Sequence, residues 1–376
     1  MKSKLQPVVH QTKTQALRDQ LMSLIETMDA DAKLPTMRQL QDSLSVSPMT
    51  LNRALSELEA NGMVYRRQGS GTYVSPQAKQ IVSSAAANAV GLVYDRALFG
   101  TQASPFGSIL VDEAERRAQV LKERFSLFLA MRSDDKTVVH EDLSDAVLHG
   151  RVRGILYAGA RNPSAMAWFQ KHKLPVVALS YRECGVPRVR INHAQLIRLG
   201  VKALAAKGCK RIGLWIPLGN GLGRDANGHF AELEAFQSAL KKADIEYSNE
   251  LVWRESEHSS DAKSDETNQQ QGLKAARETF GKTKKNAPDG IVVGDDIMTL
   301  GALTFLNKNG VAVGTNLHIA THANKGSDAL SGRDELTLIE VDPGEIARAM
   351  FEMLETLLRG ETLASELMEI KPKLRN

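Results

Sequence analysis

The chain has 376 residues, 42% of them hydrophobic and 24% charged, and a formal net charge of +4. That length exceeds what one core usually serves, so two or three folding units are expected, and the composition excludes wholesale disorder. No stretch approaches the ~18 consecutive apolar residues of a membrane span. Met1 to Thr14 is polar with no apolar signal core, so the expectation is a protein that stays in the cytoplasm and has no membrane partner.

Cys184 and Cys209 lack metal-ligand spacing and are read as structural thiols. Residues 1–80 carry 10 Lys+Arg against 7 Asp+Glu, while the remaining residues carry 38 against 37. The positive excess therefore sits at the N-terminus, where it suits a polyanion.

From Thr14 to Met28, Leu17, Leu21, Leu24, Ile25 and Met28 recur at spacings of three and four, which predicts a helix with one apolar face. Thr36 as N-cap opens a second helix to about Leu44. Ser47-Pro48 opens a third, since proline at the first helical position lacks only an N–H that has no intrahelical partner anyway. On the third helix Leu51, Ala54, Leu55 and Leu58 share one face, Met49, Asn52 and Arg53 point away, and Asn61-Gly62 ends it. Met63–Arg67 and Thr72–Val74 read as two strands joined by Gln68-Gly69-Ser70-Gly71.

Three helices and a hairpin make a winged helix, whose third helix enters the major groove while the wing follows the adjacent backbone or minor groove. Arg38, Asn52, Arg53, Arg66 and Arg67 are then contacts to DNA. A bundle that only docks protein is the alternative. A glycine-rich basic hairpin beside a proline-started helix with a polar outer face counts against it. The run LPTMRQLQDSLSVSPMTLNRALSELEANGMVYRRQGSGTYV resembles the DNA-binding module of GntR-type regulators. The resemblance implies DNA contacts from Arg38, from Ser47, Met49, Thr50 and Asn52 at the start of the third helix, and from Gln68, Gly69, Ser70 and Gly71 of the wing. Pro48 stands where many members carry arginine, so an operator sequence does not transfer from them.

Pro76 to Asn88 is polar and then Ser/Ala-rich, the composition of a linker. Beyond it, strands at Val90–Tyr94, Phe125–Ala130, Gly154–Tyr157 and Val176–Leu179 alternate with helical patterns. The alternation resumes with strands at Arg211–Ile216, Ile291–Gly294 and His318–Thr321 and helices at Ala194–Lys207, His229–Ala243 and Thr299–Asn309. The expected fold is an α+β winged helix-turn-helix domain (1–75), a linker (76–88) and an α/β two-lobed domain with parallel sheets (89–376). Lobe 1 is expected at about 89–185 and 325–358, and lobe 2 at about 186–322 and 360–376. Crossovers are expected near Val186–Asn192, Thr321–Ser327 and Leu336–Asp342. Ligands bind such folds at the carboxyl ends of the strands, in the cleft between the lobes.

The segments APDGIVVGDDIMTLGALTFLNKNGV, LTLIEVDPGEIARAMFEMLETLLRG and EIKPKL resemble the sensor domain of LacI/GalR-type regulators, itself similar to periplasmic sugar-binding proteins. The resemblance implies that Asp296 bonds ligand hydroxyls. Glu232 falls where the family carries a ligand-binding arginine, His322-Ala323-Asn324 replaces Phe-Asp-Asp, and Asn192 replaces an aspartate. The candidate effector wall is Asp95, Phe106, Arg182, Asn192, Gln195, Glu232, Asp296, His322 and Asn324.

Together the two resemblances imply a ligand-responsive repressor, neither an enzyme nor a cofactor protein. It would bind a pseudo-palindromic operator as a homodimer and take a sugar or sugar derivative. An amine-bearing ligand is the runner-up because of Glu232, and a solute-binding protein is the rival for the second half. Gly219-Asn220-Gly221-Leu222-Gly223 lacks the residues of a phosphate loop, His318 and His322 lack the glutamate of a zinc motif, and Asp295 and Asp296, adjacent at a strand end, diverge rather than flank a substrate.

Overall fold

Side-chain caps set the boundaries of the first ordered elements. The computed structural model describes residues 17, 20–22, 24–25, 27–78, 89–95, 105–130, 139, 141–148, 150–159, 163–217, 231–253, 266–281 and 287–375. It divides into one unit of residues 1–88 with 148–152 and a second of residues 89–147 with 153–376. In the first unit, Thr36 and Gln39 form a reciprocal capping box that starts the helix Met37–Leu44. Ser47 Oγ accepts from Thr50 N at 3.2 Å, and Pro48 occupies the first turn of the helix Pro48–Ala60. Asn61 keeps φ at −84°, and Gly62 at φ 72° takes the left-handed step that ends the helix.

Strands β1 (Val64–Arg67) and β2 (Gly71–Val74) pair antiparallel, with Val64 opposite Val74 and Arg67 opposite Gly71. Gly69 at φ 70° and Gly71 at φ 132° turn the tip, which asks for residues without a Cβ. A third length of chain joins this hairpin: Leu34 N donates to Thr72 O at 2.9 Å and Val74 N donates to Ala32 O at 2.9 Å. Leu17, Leu21 and Ile25 from the first helical stretch, with Leu40, Leu51, Leu55, Leu58 and Val74, form the core of this unit.

Among the described residues the second unit holds two six-stranded sheets. The first runs β13-β7-β6-β5-β3-β4, built from β3 (Ala89–Asp95), β4 (Arg124–Ala130), β5 (Val152–Ala158), β6 (Val176–Leu179), β7 (Arg188–Ile191) and β13 (Leu367–Ile370). The second runs β14-β12-β11-β10-β8-β9, from β8 (Ile212–Trp215), β9 (Val252–Trp253), β10 (Gly290–Val293), β11 (His318–Asn324), β12 (Thr337–Val341) and β14 (Lys373–Leu374). The pairs β3–β4, β5–β6, β6–β7 and β7–β13 are parallel, as are β8–β9, β8–β10, β10–β11 and β11–β12, while β12–β14 is antiparallel.

Among the described residues the chain passes between the sheets three times. After β7 it crosses at Asn192 into the helix His193–Ala206, whose Leu196, Ile197, Val201 and Leu204 pack with Val292, Ala320 and Ile339 of the second lobe. After β12 it returns at Asp342 into the helix Pro343–Leu358, whose Ile346, Met350, Phe351 and Leu354 pack with Leu92, Leu156 and Val177 of the first. Lys371-Pro372 makes the third passage, from β13 to β14.

Lobe membership therefore differs from the sequence expectation. β7 and β13 belong to the first sheet and β12 to the second, and Thr321–Ser327 is not a crossover, because β11 and β12 share a sheet. Periodicity marks a strand but not its partner, which is chosen by contacts distant in sequence.

The helix Asn268–Phe280, which no apolar period announces, crosses the helix Asp296–Lys308 at close range. A Cβ at Gly272 would strike Met298 O, and one at Gly301 would strike Gln269 O. Among the described residues no helix is long and apolar enough to cross a membrane.

Candidate functional site

Two surfaces carry the chemistry, one on each unit. On the first, the helix Pro48–Ala60 buries Leu51, Ala54, Leu55 and Leu58 and leaves Met49 82% exposed beside exposed Ser47, Asn52 and Arg53, with Thr50 half-buried. Arg53 lies 3.5 Å from Glu57 one turn on. Arg38 is exposed on the preceding helix, and Gln68, Gly69, Ser70 and Gly71 are exposed at the wing tip.

The two wing arginines are held differently. Arg66 Nε lies 3.2 Å from Glu59 Oε2 and its Nη2 donates to Ser56 Oγ at 3.2 Å, so it leans back on the helix. Arg67 stacks over Tyr73 at 4.9 Å and Tyr65 at 5.3 Å from the ring centroids, and the two rings stack 5.7 Å apart. Arg67 Nη2 donates to Tyr65 Oη at 3.0 Å, and that hydroxyl donates to Asp31 Oδ1 at 2.6 Å, a bond that raises the phenol's pKa. Sequence reasoning missed Asp31, Tyr65 and Tyr73. The signal was present in the hairpin register, which sets Tyr65 opposite Tyr73.

On the second unit, polar side chains gather where β6, β10 and β11 end and two helices begin. Tyr181 follows β6, and its Oη lies 2.5 Å from Nε2 of His193, the first residue of the crossover helix. Burial drives the His193 pKa down to about 3, with His322 adding to the effect, and burial also drives Tyr181 well above the usual phenol range. A neutral ring and a protonated phenol share this bond, and which ring nitrogen carries the proton sets which of the two donates. The His193 and His322 ring centroids are 6.5 Å apart.

Asp295 and Asp296 diverge to separate partners. Asp295 caps the helix Asp296–Lys308 by accepting from Met298 N at 2.8 Å, and it takes a second bond from Asn268 Nδ2 at 2.9 Å. Asp296 accepts from Ile297 N at 3.0 Å and from Asn324 Nδ2 at 3.0 Å. Burial, then the Asp296 carboxylate, pushes Asp295 up to about 7. Burial lowers the His322 pKa against the opposing pull of Asp296, and His322 Nε2, itself buried, makes no hydrogen bond to a described residue. Glu232, in the first turn of the helix Ala231–Lys242, is buried with its pKa raised by desolvation against the weaker pull of Arg190. After burial, the charges of Glu232 and Asp295 raise the Tyr181 pKa further.

Of the candidate wall, the structure brings together Asp296, His322 and Asn324, while Glu232 is buried on the helix Ala231–Lys242. Asn192 is committed elsewhere, because its Oδ1 accepts from Gln195 N at 2.8 Å as helix cap and its Nδ2 donates to Glu369 Oε2 at 3.0 Å. Gln195 is half-buried on that first turn, Arg182 is exposed, and Phe106 packs on the core of the first lobe. Asp95 ends β3 with its side chain outside the described residues, as are Gly219 to Gly223 and residues 79–88 of the linker. His318 and His322 stand four residues apart on β11, about 13 Å at the usual strand rise, too far to share one ion. Tyr181, His193 and Asn268 were missed in the sequence.

A winged helix joined to a two-lobed α/β unit with buried polar groups at its strand ends is the build of a DNA-binding head attached to a small-molecule sensor fold. Residues 13–74 match the family "Bacterial regulatory proteins, gntR family", and residues 201–376 match "Periplasmic binding protein-like domain". The chain thus pairs a GntR-type winged helix-turn-helix with a periplasmic binding protein-like domain.

The arabinose metabolism transcriptional repressor of Geobacillus stearothermophilus is 28% identical over 208 residues, 50% of this chain and 54% of that protein. The HTH-type transcriptional repressor YtrA of Bacillus subtilis (strain 168) is 40% identical over 47 residues, 12% of this chain and 36% of that one. The match spans about half the length of the first relative and about a third of the second.

Similar solved structures include a LacI-family regulatory protein from Chloroflexus aggregans (TM-score 0.59, 17% identity, 77% of this chain and 96% of that one). Two others are the transcription regulator CcpA of Lactococcus lactis (0.59, 18%, 77% and 97%) and the transcriptional regulator CelR–cellobiose complex (0.58, 20%, 91% and 99%). At such identities the likeness is one of fold.

Proposed function

We propose that the chain is a transcriptional repressor whose affinity for operator DNA is set by a small polar molecule, a sugar or sugar derivative, held between its two lobes. One observation carries the reading: the helix Pro48–Ala60 turns Met49, Asn52 and Arg53 outward beside a wing whose Arg67 is braced by two tyrosines. Packing has no need of that arrangement, whereas a major groove with phosphates alongside uses every part of it. The buried Asp296–Asn324 pair in the same chain offers the polar atoms that ligand hydroxyls require. The arabinose-metabolism relative supports both repression and a carbohydrate class.

A symmetric homodimer would read a pseudo-palindromic operator with half-sites about 34–36 Å apart, acting in the cytoplasm. The test is mobility shift on fragments upstream of this gene and its neighbours across a range of salt concentrations. Arg67→Ala is expected to weaken every fragment and reduce the log–log salt slope by about one. Arg66→Ala should do less, because Glu59 holds Arg66 back, and Asn52→Ala should change base preference instead. Binding to no fragment at low or moderate salt would overturn the reading.

A further inference from the structure

We propose that Lys33, from the segment ahead of the helix Met37–Leu44, is a contact to the DNA backbone, carried toward the tip of the wing by the hairpin it pairs with. The inference rests on the DNA-binding reading above and adds a residue outside both the helix-turn-helix and the hairpin. Lys33 bridges to Tyr73 in antiparallel register, and Tyr73 stands opposite Tyr65. Residues paired across strands point to one face, as do residues two apart along a strand. Lys33, Tyr73, Tyr65 and Arg67 therefore share the outer face of this sheet. The other face carries Val64 and Val74 into the core and Arg66 back to Glu59.

Gly71 lies opposite Arg67 on the outer face and gives Lys33 its path to the tip. A Cβ at Gly71 would stand 2.8 Å from Lys33 Cε and 3.7 Å from its Nζ, so the lysine stem runs through the space that the glycine leaves empty. The ammonium is thereby held beside Gly71, while the guanidinium of Arg67, the residue across the hairpin, lies over Tyr73 at 4.9 Å. The sequence alone points to the glycine as the contact; the structure lays a cation beside it.

Charge pairing separates these two cations from their neighbours. Arg53 has Glu57 at 3.5 Å and Arg66 has Glu59 at 3.2 Å, whereas among the described residues neither Lys33 nor Arg67 forms an ion pair. Asp31 accepts the Tyr65 hydroxyl at 2.6 Å and pairs with neither cation. The undescribed residues of this unit hold two acidic residues, Asp19 and Glu26, against five basic ones, so they bring no surplus of negative charge. Exposed like charges held on one face repel one another. A phosphate backbone running past the wing removes that repulsion and releases its own counterions in doing so.

The experiment follows fluorescence anisotropy of a labelled mixed-sequence duplex with the full chain across a range of salt concentrations, because a backbone contact is felt on any sequence. Lys33→Met keeps a stem beside Gly71 and removes the charge. It is expected to weaken binding roughly tenfold at about 0.1 M salt and to lower the log–log slope by about 0.9, the share of one phosphate. Lys33→Arg should keep the parent slope, and Lys241→Ala, at an exposed lysine of the second unit, should change neither quantity. In the parent chain Lys33 should also lose reactivity toward an amine-modifying reagent once duplex is bound. A parent slope in Lys33→Met, a loss of affinity without a change of slope, an equal loss in Lys241→Ala, or a Lys33 still reactive in the complex would overturn the proposal and leave the repressor reading standing. No binding by the parent chain at low or moderate salt would overturn both.

Discussion

The buried histidine and aspartate that follow β7 and β10 place opposite demands on pH. His193 has its folded pKa lowered from 6.5 to about 3. As pH falls below 6.5 the unfolded chain takes a proton that the fold refuses, so stability is lost between about pH 6.5 and 3, at up to about 1.4 kcal/mol per pH unit. Asp295, raised from 3.8 to about 7, does the reverse: its contribution is present below about pH 4 and is lost as pH rises toward 7. Urea denaturation of His193→Gln should therefore show a smaller loss of stability between pH 6.5 and 5 than the parent chain. Asp295→Asn, which keeps the helix cap, should gain on the parent as pH rises from 4 to 7. Profiles parallel to the parent would show that neither group titrates as its burial dictates.

Legibility at this scale followed chain locality. Asp296, His322, Asn324 and Glu232 were reached through short segments that resemble LacI/GalR-type sensors, whereas Tyr181 and His193 meet only because the chain crosses between lobes at Asn192. Asn192 itself was legible as polar and adjacent to the cleft, yet its side chain serves the crossover as cap and as partner of Glu369.

Among elements, those with their own caps were readable. Ser47-Pro48 and Gly62 delimit the helix Pro48–Ala60, because hydrogen bonds at a helix end are local. The helix Asn268–Phe280 was not readable, although Thr267 and Gln270 form a capping box, because its buried face is Gln271, Gly272, Ala275 and Ala276 rather than an apolar stripe. It packs by backbone approach, and that needs small residues instead of large ones. Gly272→Ala and Gly301→Ala should each destabilise by roughly 1–3 kcal/mol, since each Cβ would meet a carbonyl of the facing helix. Thr304→Ala, on the exposed side of the helix Asp296–Lys308, should change stability by less than about 0.5 kcal/mol. Chemical denaturation with an unchanged m-value is the measurement, and near-neutral glycine variants would mean that the two helices separate without cost.

For the whole molecule, the three passages at Asn192, Asp342 and Lys371-Pro372 are the places about which the lobes can turn, which is the hinge motion this architecture offers. If a ligand favours one lobe arrangement and that arrangement alters DNA affinity, linkage requires operator DNA to change ligand affinity by the same factor, usually about 5- to 150-fold. Ligand titrations with and without operator should therefore differ. Identical affinities would show that sensor and head act independently.

What the sequence by itself determined was the series of local events: caps, turns, the polar outer face of the third helix, the alternation of strands and helices, and the linker composition. Each depends on residues within a few positions of one another. Only the tertiary structure decided which sheet took β7, β12 and β13, which wing arginine was braced by tyrosines and which was drawn back by Glu59, and that Tyr181 met His193. Those outcomes depend on pairing and burial between segments far apart in the chain, and a desolvated charge has no counterpart in the extended sequence.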